Sequence, residues 1–176
     1  MVYDIKHQKK MNLTRYSGIK KIYFDRILKT IIKIGYVKDC DGLILDYGSG
    51  NSRLRNFLKN HCVCEYDKFF NDGFEFKNYR PEIIIMNHVL EHMTPQEIHE
   101  LMNDFYDMNR EAVIITGIPL ENKLSKTLSV MLGRPSHIGH ITPYKVIDKT
   151  LRQHLVCIKT KRVFGMTEVS LWLLAD

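Results

Sequence analysis

Two groups of residues in this sequence have the types and spacing to do chemistry. The first is Asp46-Tyr-Gly48-Ser49-Gly50, followed about 20 residues later by a second acid, Asp67. Glycines one residue apart let the backbone take positive φ and come close to a ligand, and an acid just ahead of them suits a ligand with a positive centre. A carboxylate in the position of Asp67 can accept from both hydroxyls of a ribose. Glu65 has the same side-chain direction and is the reserve candidate. The second group is His88-Val-Leu-Glu91-His92, with His137 and His140 in a later segment. Imidazole titrates near neutrality and can serve as a general base, and together with a carboxylate it can also ligate a metal.

Neither group fits the commonest motif of its kind. A dinucleotide fingerprint needs a third glycine where Arg53 stands. No Gly-Lys-Ser/Thr follows, and Asp46 would repel a polyphosphate. The H-x-x-E-H pattern of inverted zinc peptidases needs a helix with both histidines on one face. Here it directly follows an apolar strand and precedes a helix cap, which disfavours a peptidase.

The elements that must position these residues are legible in the patterning. Leu43-Ile-Leu ends on Asp46, and Leu54, Phe57 and Leu58 then recur at helical spacing, which predicts strand, tight turn and helix. Cys62 to Asp67 reads as a second strand. Phe69, Phe70, Phe74 and Phe76 around Asp72-Gly73 suggest a short third strand from Phe74 to Asn78. Pro81 to Asn87 holds a continuous apolar run bounded by a proline, as in a central parallel strand covered on both faces. Thr94-Pro95-Gln96-Glu97 supplies an N-cap, a proline at the first helical position and a capping-box glutamate for a helix through Phe105. Ala112 to Ile118 is a strand ended by Pro119. A long connection over 120–141, with a helix expected around Leu124 to Leu132, leads to Thr142-Pro143, which is read as capping a helix to about Gln153. Leu155 to Phe164 and Thr167 to Leu174 form an antiparallel hairpin.

Ahead of all this lie a basic arm, 1–18, and a leading helix, 19–35, marked by Ile22, Phe24, Ile27, Leu28, Ile31 and Ile32. The 176 residues suit one domain, 1–176, with the ligand-binding core over 42–176. Cys62 and Cys64 would stand side by side on one strand face, a poor geometry for a bridge, so the four cysteines point to a reducing compartment. No run approaches the roughly 20 apolar residues of a membrane span, and the reading is a cytoplasmic protein. The net charge of +6 is weighted towards Lys6, Lys9, Lys10, Arg15, Lys20 and Lys21. Such a segment can meet RNA or a phospholipid surface. Without interleaved aromatics, a solvated arm is the favoured reading. The oligomeric state is not readable from the sequence.

Asp46-Tyr-Gly48-Ser-Gly50-Asn-Ser52 resembles the first motif, D-x-G-x-G-x-G, of the class I S-adenosylmethionine-dependent methyltransferases, with Ser52 in place of the third glycine. His88-Val-Leu-Glu91-His92-Met93, between an apolar strand and a capped helix, is similar to the fourth-strand signature of the same proteins, where Leu-Glu-His is frequent. The resemblance, of type 11 character, runs from about Gly42 onwards. It implies an α/β fold: a three-layer Rossmann-like sandwich with a mostly parallel seven-stranded sheet and an antiparallel C-terminal hairpin. It also implies S-adenosylmethionine as cofactor and methyl transfer to oxygen or nitrogen of a small metabolite, sugar or lipid precursor. Asp46, Gly48, Ser49 and Gly50 would hold the amino-acid part, Asp67 the ribose, and Met86, Asn87 and His88 the wall beside the sulfonium. His92, His137 or His140 would be the general base, and the loop between 119 and 141 would help form the substrate pocket.

Two alternatives accompany this reading. Small-RNA 3′-terminal 2′-O-methyltransferases show a similar E-x-x-E-H with a distant histidine and hold a divalent ion there. The corresponding set here is His88, Glu91 and His92 with His140 or His137. The other is a noncatalytic nucleotide- or RNA-binding module on the same fold.

Overall fold

A strand turns successive side chains to opposite faces, so a strand that is apolar throughout must be covered on both. In the computed structural model, which describes residues 18–50, 53–70, 75–121 and 140–175, this holds for β1 (Leu43–Tyr47), β3 (Ile83–Asn87) and β4 (Val113–Pro119). Ile44, Ile85 and Ile115 pack on one face with Ile27 and Ile31 of helix α1 (Gly18–Ile34). Leu45, Ile84 and Ile114 pack on the other with Met102 and Phe105 of α2 (Pro95–Met108) and Ile147 and Leu151 of α3 (Tyr144–Leu151). Three layers result.

With β2 (Cys62–Tyr66), β5 (Leu155–Val163) and β6 (Thr167–Leu174) the sheet has the order β2-β1-β3-β4-β6-β5. The first four strands are parallel, and β6 runs antiparallel to both β4 and β5. The expected α/β sandwich, leading helix and closing hairpin are therefore present. From β1 the chain goes to β2 on one side and then returns to β3 on the other. The carboxyl ends of β1 and β3 thus border a topological switch point, where open α/β sheets bind ligands.

Three local expectations are corrected. Leu54, Phe57 and Leu58 do not open a helix; Leu54–Asn56 make one 3-10 turn, with Leu54 and Leu58 buried. Over five residues the two helix types place i and i+3 almost alike, so spacing could not separate them. The described part of the expected third strand is also a 3-10 turn, Phe76–Asn78, so the sheet has six strands among the described residues instead of seven. Phe76 is a plug whose ring packs on Tyr47, Tyr66 and Phe105. Finally, Thr142 does not cap α3. Pro143 holds the N-cap position, and Thr142 Oγ1 donates to the Met93 carbonyl at 2.6 Å. Thr94, by contrast, forms the expected capping box with Glu97.

The free edge of β2 borders a surface hollow of about 420 Å³ lined by Arg55, Cys62, Cys64, Glu65 and Tyr79. No described helix is long and apolar enough to cross a membrane. The arm 1–17, Ser52, Phe74, the expected helix between Leu124 and Leu132, and His137 lie outside the described residues.

Candidate functional site

At the tip of β1 the chain turns through Gly48 (φ +76°) and Gly50 (φ +54°), left-handed values that glycine adopts without strain. A Cβ on Gly48 would fall inside the side chain of Val89, which closes over the turn from the segment after β3. The Gly48 and Ser49 N–H groups donate to the Tyr66 carbonyl at 2.7 and 3.0 Å. Asp67 then fastens the turn: its Oδ2 accepts from Gly50 N and its Oδ1 from Phe69 N, both at 2.9 Å. Each oxygen retains a lone pair, so Asp67 can still accept from a diol. Arg53, just beyond the turn, pairs with Asp25 of α1.

Asp46 is buried and stands opposite Glu65 in the parallel register. Burial, followed by the charges of Glu65 and Asp67, pushes its carboxyl up from 3.8 to about 7. All three influences have the same sign. A cation placed beside Asp46 would oppose them.

The other half of the lip is built after β3. His88 has φ +58°, a left-handed value uncommon outside glycine. Its N–H donates to the Gly117 carbonyl at 2.8 Å, and its Nε2 meets Thr167 Oγ1 at 3.2 Å. Its Nδ1 lies 3.3 Å from Glu91 Oε1, and its ring meets Phe24 at 5.6 Å between centroids. Thr167 Oγ1 is in turn hydrogen-bonded to the Tyr23 hydroxyl, whose pKa burial raises. Glu91 is buried, and its Oε2 has no hydrogen-bond partner. Burial acts to raise the Glu91 carboxyl, but the His88 hydrogen bond and the charges of His88 and His92 together outweigh it and hold it below its usual range.

The Glu91 carbonyl accepts from Ile141 N at 2.7 Å and Thr142 N at 3.3 Å. Those bonds bring His140 beside His92, with ring centroids 5.4 Å apart. One ligand atom from each of Glu91, His92 and His140 lies within 4.8 Å of the others.

The structure thus gathers Asp46, Gly48, Ser49, Gly50 and Asp67 at one end of the lip, and His88, Glu91, His92 and His140 at the other. The Met86 side chain is buried in the core under α2. Asn87 sits at the strand end with Oδ1 unpartnered, facing Gly117, where a Cβ would come within 2.5 Å of that oxygen. Tyr23 and Thr167 were missed by sequence reasoning. They are 144 positions apart, and neither belongs to a motif.

No protein-family model matches the chain. No curated protein matches it either. Solved structures are similar to it in fold. Magnesium protoporphyrin IX methyltransferase (ChlM) from Synechocystis PCC 6803, with bound SAM, matches over 99% of this chain and 99% of its own at TM-score 0.65 and 10% identity. The 1,6-didemethyltoxoflavin-N1-methyltransferase of Burkholderia thailandensis, with S-adenosylhomocysteine, matches over 96% and 87% at TM-score 0.65 and 12% identity. The N-methyltransferase NodS of Bradyrhizobium japonicum WM9 covers 88% of each chain at TM-score 0.62 and 8% identity. At such identities the likeness shows the fold, which is that of the class I methyltransferases.

Proposed function

We propose that the chain is an S-adenosylmethionine-dependent methyltransferase whose acceptor is a hydroxyl or amine of a small molecule. The observation that carries this reading is Asp46, a buried acid with two more acids beside it at the switch point of a class I methyltransferase fold. A site of that sign favours a cationic ligand, and S-adenosylmethionine carries an ammonium and a sulfonium on either side of its amino-acid chain.

Asp46 and the backbone of Gly48, Ser49 and Gly50 would hold the amino-acid part, and Asp67 the ribose hydroxyls. Asn87 and His88, with the backbone of Met86, would stand across the switch point beside the reacting centre. When bound, the cofactor supplies a methyl group activated on positive sulfur, whose transfer depends chiefly on proximity and alignment. A hydroxyl or protonated amine acceptor must also lose a proton, and the rim imidazoles of His92 and His140 are placed to take it. Glu91 Oε1 lies 3.9 Å from His92 Nε2, near enough for its charge to act on a proton held there. The solved neighbours named for didemethyltoxoflavin and magnesium protoporphyrin IX support a small-molecule acceptor. Four free thiols fit a cytoplasmic location.

Calorimetry of the full chain with S-adenosylmethionine and S-adenosylhomocysteine tests this. Binding of order micromolar is expected, and Asp67→Ala should weaken it by about 100-fold. Near pH 7 about half a proton per chain should be released, because Asp46, half protonated there, must ionise to meet a cation. Salt-sensitive RNA binding without cofactor affinity would instead reveal a noncatalytic module. Mass spectrometry of a cell extract incubated with methyl-labelled cofactor then identifies the acceptor.

A further inference from the structure

We infer that Glu91, His92 and His140 form a binding site for a divalent transition-metal ion, with Zn2+ the ion expected. Acids and imidazoles often meet at a surface without an ion, and three features distinguish this cluster. The first is Glu91 itself: its side chain is 3% exposed, and its Oε2 has no hydrogen-bond partner. An unpaired carboxylate oxygen inside a protein is unfavourable, and a coordinated cation removes the deficit. The second is that the ligand-bearing segments are fastened to each other. Ile141 N and Thr142 N both donate to the Glu91 carbonyl, and Thr142 Oγ1 donates to the Met93 carbonyl, so the residues flanking His92 and His140 are joined by hydrogen bonds.

The third feature lies outside the ligand set. His88 Nδ1 contacts Glu91 Oε1, His88 Nε2 contacts Thr167 Oγ1, and Thr167 is bonded to Tyr23. Outer partners of this kind orient a metal ligand and fix which of its atoms faces the ion. His88 therefore acts on Glu91 as a positioning residue and is not one of the coordinating residues. The ligands are three, two imidazoles and a carboxylate, where the spacing alone suggested four. That donor set suits zinc or iron(II) with at least one position left open, whereas magnesium and calcium favour all-oxygen sets.

The cluster lies just past β3, and Val89 of the same segment covers Gly48. A hydroxyl on the open position would lose its proton more readily than a free one, and the ion would then take over the role of a free imidazole base. That last step rests on the methyltransferase reading. Ion binding does not.

The test is titration of chelator-treated, full-length protein with Zn2+, and with Co2+ as a visible probe. One ion per chain is expected. His92→Ala, His140→Ala and Glu91→Gln should each weaken binding at least tenfold, and His88→Ala by about 10- to 100-fold. His99→Ala, which disrupts the separate His99–His154 contact at 2.6 Å, should leave stoichiometry and affinity unchanged. Because a variant that unfolds would mimic lost ligation, circular dichroism of each is compared with chelator present. The Co2+ complex of His92→Cys provides a second measure, a new sulfur-to-metal charge-transfer band. No stoichiometric ion, wild-type affinity in His92→Ala and His140→Ala, or loss of binding in His99→Ala overturns the site. Calorimetry with S-adenosylmethionine under chelation separates the two ideas. Cofactor binding by a chain that takes up no ion overturns the metal site alone, and ion binding without cofactor affinity upholds the site and overturns the methyltransferase reading.

Discussion

Asp46 and Glu91 are both buried carboxyls at the carboxyl lip of one sheet, and their acidities move in opposite directions. Burial acts on both in the same sense, so neighbours decide the outcome. Asp46 has Glu65 across the ladder and Asp67 at the tip of the next strand. Glu91 has His88 Nδ1 at 3.3 Å and His92 Nε2 at 3.9 Å. Asp46 therefore meets only further acids, whereas Glu91 meets imidazoles. The comparison teaches that a buried acid becomes a ligand site through what surrounds it, and that a single lip can hold one acid set among acids and another with one oxygen braced by an imidazole and the other, Oε2, left for a ligand.

The largest loss is expected where a braced acid is removed. Glu91→Ala leaves the partly buried His88 without its acceptor and opens a gap in a buried site, and should destabilise the chelated protein by about 3 kcal/mol in urea unfolding at pH 7. Wild-type stability would break the comparison. Asp46→Asn should do the reverse. The folded carboxyl titrates at about 7 against an ordinary 3.8, so Asp46 contributes stability below about pH 4 and loses it as the pH rises towards 7. Without cofactor, the asparagine variant should match the wild type near pH 4 and exceed it by about 3 kcal/mol at pH 8. Parallel stability curves would show that Asp46 has found a cation of its own. Gly48→Ala, with positive φ and Val89 in the way, should cost about 2 kcal/mol. Thr94→Ala, away from both acids, should cost about 1 kcal/mol and leave the pH dependence above about pH 5 unchanged, a control for the other three; below that, losing its hydrogen bond to Glu97 adds an acid-range change.

What the sequence revealed was governed by how long each pattern runs. The leading helix repeats its apolar face over four turns, the run Ile83 to Met86 is apolar without interruption, and Thr94-Pro95 with Glu97 is a local signal; each appears in the structure. Leu54 to Leu58 was too short to distinguish a 3-10 turn from a helix. The phenylalanine-rich stretch looked like a strand because aromatics favour strands, yet Phe76 is buried by a ring cluster that only tertiary contact assembles. At the lip, Asp46 and Asp67 could be paired from strand ends alone. The grouping of Glu91, His92 and His140 was legible only as one alternative, because it depends on a backbone bond from Ile141 to Glu91. The Tyr23–Thr167–His88 contacts left no trace in spacing at all.

The sheet order carries a consequence for how the protein comes to exist in the cell. β6 follows every other strand in the chain, yet it lies inside the sheet between β4 and β5, and it contributes the threonine that links Tyr23 to His88. On the ribosome the acidic turn between β1 and β2 can form while β4 still has an open edge. His88 gains its anchor only after residue 167 has left the exit tunnel. The acids thus depend on the first two strands alone, whereas the link from His88 to Tyr23 depends on the last one.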